Sequence, residues 1–363
     1  MRKLPLTAAV LAVACGGASP SGFSTGPGVT SVAASTGIGS TGEGSSSTTG
    51  PAEDSTAGSG SGTSGTGFVR DVGSKDDFGP VQPPGCKGKV DLIFLISRLG
   101  TMDTEQEQLV ASFPGFVETI EKQLDGFDVH IMSANPDAYW PGWTCEELCQ
   151  LDPPPCDDDG YKCNDYAFLI DKCDSILGAG ITFNAGAGAA NRQCDLYGGN
   201  RYIISGEPNM KDAIECIAKA GWSGGDPPMG DALLAALKPK INADEGCNAG
   251  FIREDALLVV VFINDTYDTE SLTWPYQQYD EILKVKKDPN AVVMLGIVPQ
   301  PHEEGKPEDP TCTYDDEPEG KLRDLIDRFP YHHYGNTCAP TYAPFFDEAA
   351  ALIGEACGSF VPG

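Results

Sequence analysis

Three apolar runs organise the chain: Val90–Ile96 (VDLIFLI), Ala256–Ile263 (ALLVVVFI) and Ala291–Val298 (AVVMLGIV). Runs this short, bounded by turn residues, predict strands buried on both faces of a parallel sheet. Phe127–Ser133 alternates apolar with polar residues and predicts a further strand. Arg201–Ile204 and Tyr331–Tyr334 predict short strands, the second at an edge. Between the strands the period becomes helical. Over Asp103–Leu124 the residues Leu109, Phe113, Phe116, Val117, Ile120 and Leu124 fall on one face. Met210–Ala220, Met229–Lys238, Gln278–Lys287, Lys321–Arg328 and Tyr342–Ala356 are the other predicted helices. Strands alternating with helices imply an α/β fold: a doubly wound, mostly parallel sheet with helices on both faces.

The pattern fails in two places. Residues 16–80 are dominated by Gly, Ser and Thr, too poor in apolar surface to offset the entropy of ordering, and are expected to be a disordered linker. As a flexible coil that linker would span roughly 45 Å. Residues 135–200 interrupt the α/β pattern with clustered Cys, the Pro153–Pro155 run and the acidic block Asp157–Gly160. They read as an ordered, disulfide-rich insertion in a domain covering 86–363.

The N-terminus changes the setting. Arg2 and Lys3 precede the mainly apolar run Leu4–Ala14, a layout of an export signal too short to remain as a membrane span. Leu11–Cys15 (LAVAC) resembles a bacterial lipobox. That resemblance implies cleavage before Cys15, lipidation of Cys15 and anchorage in a membrane. Gly16 follows where inner-membrane retention favours Asp, so the expected location is the outer membrane or cell surface. The remaining twelve cysteines are Cys86, Cys145, Cys149, Cys156, Cys163, Cys173, Cys194, Cys216, Cys247, Cys312, Cys338 and Cys357. In an exported chain an even dozen reads as up to six disulfides, whose pairing the sequence leaves open. A zinc site within Cys145–Cys173 is the competing reading, but paired C-x2-C knuckles are missing.

The net charge of −29 becomes −31 once Arg2 and Lys3 leave with the signal. Such a surface argues against nucleic acid and anionic headgroups as partners.

The strand Val90–Ile96 ends in a polar turn, Ser97-Arg98-Leu99-Gly100-Thr101, and in open α/β sheets such a turn is where ligands bind. This segment resembles the first strand and metal loop of a von Willebrand factor type A domain, whose pattern is Asp-x-Ser-x-Ser; Ser97, Leu99 and Thr101 stand at the three positions. Gly224–Leu233 (GGDPPMGDAL) resembles the family's second metal loop, with Asp226 near the usual Thr. Asn248–Arg253 followed by Ala256–Asp265 is similar to the fourth-strand region of cysteine-rich type A domains of bacterial surface lipoproteins, with Asp265 at the strand end. The C-terminal stretch from Cys338 through Phe345 to Cys357 and Pro362 resembles the end of the same group.

The resemblance implies a degenerate metal site at Ser97, Thr101, Asp226 and Asp265. The family's ion needs hard oxygen donors. Ser97 removes a charge and Leu99 removes an oxygen, so weak or absent binding of a divalent cation (Mg²⁺ or Ca²⁺) is expected, with no other cofactor.

Other constellations carry less chemistry. Asp157, Asp158, Asp159 and Asp165 lack EF-hand spacing. His332 and His333 are adjacent, and neighbouring side chains on a strand point to opposite faces. Gly178–Gly188 lacks the Lys-Ser/Thr ending of a phosphate loop. Tyr139, Trp140 and Trp143 suit a small disulfide core slightly better than a partner anchor. G-x-S-x-G stands at Gly22–Gly26 in the linker and at Gly221–Gly225 after a predicted helix, neither of them the strand-to-helix elbow a nucleophile needs, and H-E-x-x-H does not occur, which argues against an enzyme. The expected function is therefore binding or adhesion to a protein or surface polymer. The alternatives are a metal-dependent envelope hydrolase and a structural envelope protein.

Overall fold

A computed structural model describes residues 86, 88–123, 126–138, 171–222, 224–301 and 320–360. Cys15, the 16–80 linker, Tyr139, Trp140, Trp143, the Asp157–Asp165 cluster, Cys145, Cys149, Cys156, Cys163 and Cys312 lie outside these residues.

The described chain is a mixed α/β domain around a six-stranded sheet. Its strands are β1 (Lys89–Ile96), β2 (Asp128–Ala134), β5 (Ile203–Ile204), β6 (Leu257–Ile263), β7 (Val292–Val298) and β8 (Tyr331–Asn336). They lie in the order β5-β2-β1-β6-β7-β8, all parallel except β5, which pairs antiparallel with β2. A separate two-stranded ladder joins β3 (Phe183–Asn184) to β4 (Arg192–Gln193) within the Cys-rich region. Seven α-helices are described: α1 (Asp103–Gln123), α2 (Met210–Ala218), α3 (Met229–Leu237), α4 (Pro239–Asn242), α5 (Pro275–Lys286), α6 (Lys321–Asp327) and α7 (Ala343–Ser359).

Alternation along β1 divides the core. Leu92, Phe94 and Ile96 join one cluster with residues of α1, α2 and α7, while Ile93 and Leu95 join another with residues of α3, α5 and α6. Every residue of β6 and β7 is buried, as expected of central parallel strands. Phe94 sits edge-on to Phe113 and Phe116, with ring centroids 6.0 and 5.8 Å away, and Phe116 meets Phe346 of α7 at 4.5 Å. Each such ring contributes about 1.5–3 kcal/mol by leaving water. That packing explains how α1 runs through Pro114, which cannot donate to the helical ladder.

Three disulfides are described. Cys86–Cys357 joins the approach to β1 to α7, Cys173–Cys247 joins the turn at Lys172–Ser175 to the segment before β6, and Cys194–Cys216 joins the residues after β4 to α2. Cys338 is disulfide-bonded as well.

Several boundaries differ from the sequence expectation for identifiable reasons. Helix α5 begins at Pro275, three residues earlier than predicted, because the Trp274 N–H is capped by the Gln277 side chain at 2.8 Å and Pro fits a first helical turn. Strand β8 continues to Asn336 because its pairing with β7 runs to Val298. Strand β5 is shorter than predicted: Arg201 is drawn away to the Gly180 carbonyl and Asp174.

Candidate functional site

The strand order places β1 and β6 side by side although the chain passes through β2 and β5 between them. Connections therefore leave β1 and β6 in opposite directions, opening a crevice at their carboxyl ends. Ser97 follows β1 and Asp265 follows β6 by one residue. The ladder carries on briefly, since the Ser97 N–H donates to the Ile263 carbonyl at 2.9 Å.

The loop after β1 is tightly held. Ser97 is fully buried and its hydroxyl accepts the Leu99 N–H at 3.3 Å. Gln106 of α1 donates to the Ser97 and Gly221 carbonyls at 2.8 and 2.6 Å, and its Oε1 accepts the Gly221 N–H at 2.8 Å. One buried amide thus ties the β1 loop to the segment leading into Asp226. Leu99 then pairs with Gly224 in a parallel bridge, and the Gly224 N–H donates to the Arg98 carbonyl at 2.6 Å. Only glycine fits there: a Cβ at Gly224 would stand 2.8 Å from both the Arg98 Cβ and an Asp137 oxygen. Arg98 is itself buried and forms a double hydrogen bond with Asp137, with Nε 3.2 Å from Oδ2.

Of the four residues singled out by resemblance, three meet at the crevice and one lies beneath it. Exposed Thr101 hydrogen-bonds to Asp265, which is 6 % exposed. The Oδ1 of Asp265 is buried and accepts no hydrogen bond. Asp226 is half-buried and accepts from the hydroxyls of Thr266 at 3.4 Å and Thr269 at 3.1 Å. Ser97 is the residue beneath, its hydroxyl occupied by the turn.

The electrostatics are one-sided. Burial pushes the Asp265 carboxyl above its usual range, Thr101 opposes the rise, and Asp226 and Asp103 add to it. Glu105, in the first turn of α1, is raised by burial and by Asp265 and Asp103, and its Oε2 is buried without a partner. Asp226 is raised by burial, countered by its two threonines, with Glu270 adding to the rise.

Sequence reasoning missed Asp103, Glu105, Thr266 and Thr269. Acidic residues in a first helical turn read as ordinary complements to the helix dipole, and the threonines follow the strand instead of belonging to a motif. It also missed that Arg98 is a buried structural residue.

The donor set does not fit a metal centre of the expected kind. Leu99 offers no oxygen, the Ser97 hydroxyl is turned into the protein, and among the described residues no three acidic, His or Cys side chains group as metal ligands do. His332 and His333 do go to opposite faces: His332 Nδ1 donates to the Phe329 carbonyl, while His333 stacks on Phe345 and lies 3.1 Å from Glu348.

No family model and no curated protein matches the chain. Among solved structures, it is similar to proximal thread matrix protein 1 from the mussel byssus, with 10% identity and a TM-score of 0.33. The match covers 73% of this chain and 48% of that one, so the chain spans about half the length of that protein. A likeness this distant carries no functional argument.

Proposed function

We propose that the chain is a binding module of the von Willebrand factor type A kind, doubly wound, exported and lipid-anchored through Cys15 at the outer membrane or cell surface. It recognises a protein or surface polymer through the loops after β1 and β6, without strong dependence on a divalent metal. One observation carries the reading. The crevice between β1 and β6 presents Thr101, Asp226 and Asp265 together on a rigid base, with a buried Asp265 oxygen that has no partner within the described chain. The mostly parallel sheet, with helices packed on both faces, supports the type A resemblance. Leu99 and the inward Ser97 hydroxyl support metal-independent recognition.

Envelope extract passed over immobilised protein, in EDTA, tests this. The wild type should retain a protein or polymer that a Thr101→Ala/Asp226→Ala/Asp265→Ala variant releases. Equal retention by both, retention of nothing, or retention only with added Mg²⁺ would each overturn the reading. Anchorage is tested separately: Cys15→Ser should abolish labelling by radioactive palmitate.

A further inference from the structure

Asp103, Glu105, Asp226 and Asp265 gather around the crevice, and the charges that raise Glu105, Asp226 and Asp265 are all carboxylates, Glu270 among them. Glu105 and Asp265 each feel Asp103, Glu105 also feels Asp265, and Asp226 adds to the field at Asp265. The same field reaches buried Tyr342, whose hydroxyl is pushed up by burial and then by Glu105 and Asp265. The neighbouring guanidinium of Arg98 is directed to Asp137 instead.

Two oxygens in this cluster lack a hydrogen bond altogether: Asp265 Oδ1, on a residue more than nine-tenths buried, and Glu105 Oε2. They come from different elements, the end of β6 and the first turn of α1. Buried carboxylate oxygens left unpaired are costly, so the site is short of donors as well as positive charge. A metal ion would need its ligands grouped around one point, which the described residues do not provide. A guanidinium differs in kind. It carries five N–H donors in a planar fork and can reach two separated acceptors while keeping its charge.

Resting on the binding reading above, we infer that this cluster receives an arginine side chain from a partner protein, with Asp265 and Glu105 as buried acceptors and Asp226 at the rim. Thr101, exposed and hydrogen-bonded to Asp265, marks the entrance.

The test follows backbone amide shifts of the full chain by NMR during titration with acetyl-Gly-Arg-Gly-amide, beside its citrulline and lysine counterparts and MgCl₂ alone. The arginine peptide should give saturable shifts at Thr101, Asp226 and Asp265. It should bind about tenfold more weakly to Asp265→Asn, the loss of one charged hydrogen bond. The citrulline peptide should give none, the lysine peptide weaker ones, and added salt should weaken binding. Asp226→Asn, at a half-exposed position, gives a second variant whose folding is not at stake and should also weaken binding.

Equal responses to arginine and citrulline, or affinity unchanged in both variants, would overturn the inference. So would MgCl₂ that saturates the same amides and displaces the peptide. If a partner is captured by wild type and lost by the triple variant while the arginine peptide moves no amide, this inference fails and the binding reading stands. If the triple variant keeps the partner, the binding reading is what fails.

Discussion

Arg253 grips Asp91 twice: its backbone N–H donates to Oδ2 and its Nε to Oδ1, both at 2.8 Å. Asp91 lies in β1 and is fully buried, with the Lys286 ammonium 3.7 Å from the same carboxylate. Arg253 also donates to the carbonyls of Val90 and Asp128 at 3.0 and 2.9 Å, and Lys286 to those of Arg253 and Ala256 at 2.5 and 3.0 Å. One carboxylate therefore sews the segment before β6 to the starts of β1 and β2, at the amino ends of the strands, opposite the crevice.

Asp91→Asn should destabilise the domain by about 3–5 kcal/mol, because Lys286 remains buried without its counter-charge and Arg253, which keeps Asp128 at 2.6 Å, loses its buried partner. Urea unfolding would measure it, and the folded fraction should bind through the crevice as wild type does. A loss below about 1 kcal/mol would mean that water reaches Arg253 and Lys286, and that the pair contributes little.

Gly188 has φ +68°, and a Cβ there would stand 1.9 Å from a ring carbon of Trp222. Gly188→Ala should cost about 2–4 kcal/mol, combining left-handed strain with overpacking. Adding Trp222→Ala removes the clash and leaves only the backbone strain, so a double-mutant cycle should give a coupling of about 1 kcal/mol or more. Simple additivity of the two substitutions would sink this account.

Most of the sheet was legible because apolar runs of six to eight residues have few other uses. β6 and β7 needed no tertiary information, and α1 showed its buried face through Leu109, Phe113 and Phe116. The polar tertiary ties were not legible. Nothing along the strand marks Asp91 as the buried partner of Arg253, which is 162 residues away. Nor does the polar turn show that Arg98 is buried in a pair with Asp137, 39 residues on. At the crevice, the motif led to Thr101, Asp226 and Asp265, which do meet. It could not show that the Ser97 hydroxyl turns inward or that Glu105 reaches the same place, since both depend on how the loop is folded by Gln106 and Gly224.

Cys86–Cys357 closes a loop spanning 271 residues, and the Cys86 N–H also donates to the Cys357 carbonyl at 2.9 Å. Constraining so long a loop restricts the unfolded chain, so Cys86→Ser/Cys357→Ser should cost about 2–5 kcal/mol. Thermal unfolding of the double variant checks this. An unchanged midpoint would place the stabilising effect on the remaining bridges, which already hold the Cys-rich region and α2.

Asp268 is a buried carboxyl that holds the turn after β6. It accepts from the N–H groups of Gly230 and Ser271 at 2.9 and 3.0 Å and from the Ser271 hydroxyl at 2.7 Å. Burial nevertheless outweighs these bonds and raises its pKa above the ordinary 3.8. In the window between 3.8 and the raised value, the folded state holds a proton that the unfolded state has released. Stability from this group is therefore fully present below 3.8 and falls as pH rises through the folded value. The carboxyls of Glu105, Asp226 and Asp265 are raised too and add to the same slope. His130 opposes it: burial lowers its pKa below 6.5, so its contribution grows with pH from the lowered value up to 6.5. Urea midpoints measured from about pH 4 upward should fall first, and Asp268→Asn should flatten that fall while keeping an acceptor for the Gly230 N–H. If the variant shows the wild-type slope, Asp268 titrates alike in both states, and its three hydrogen bonds fully offset its burial.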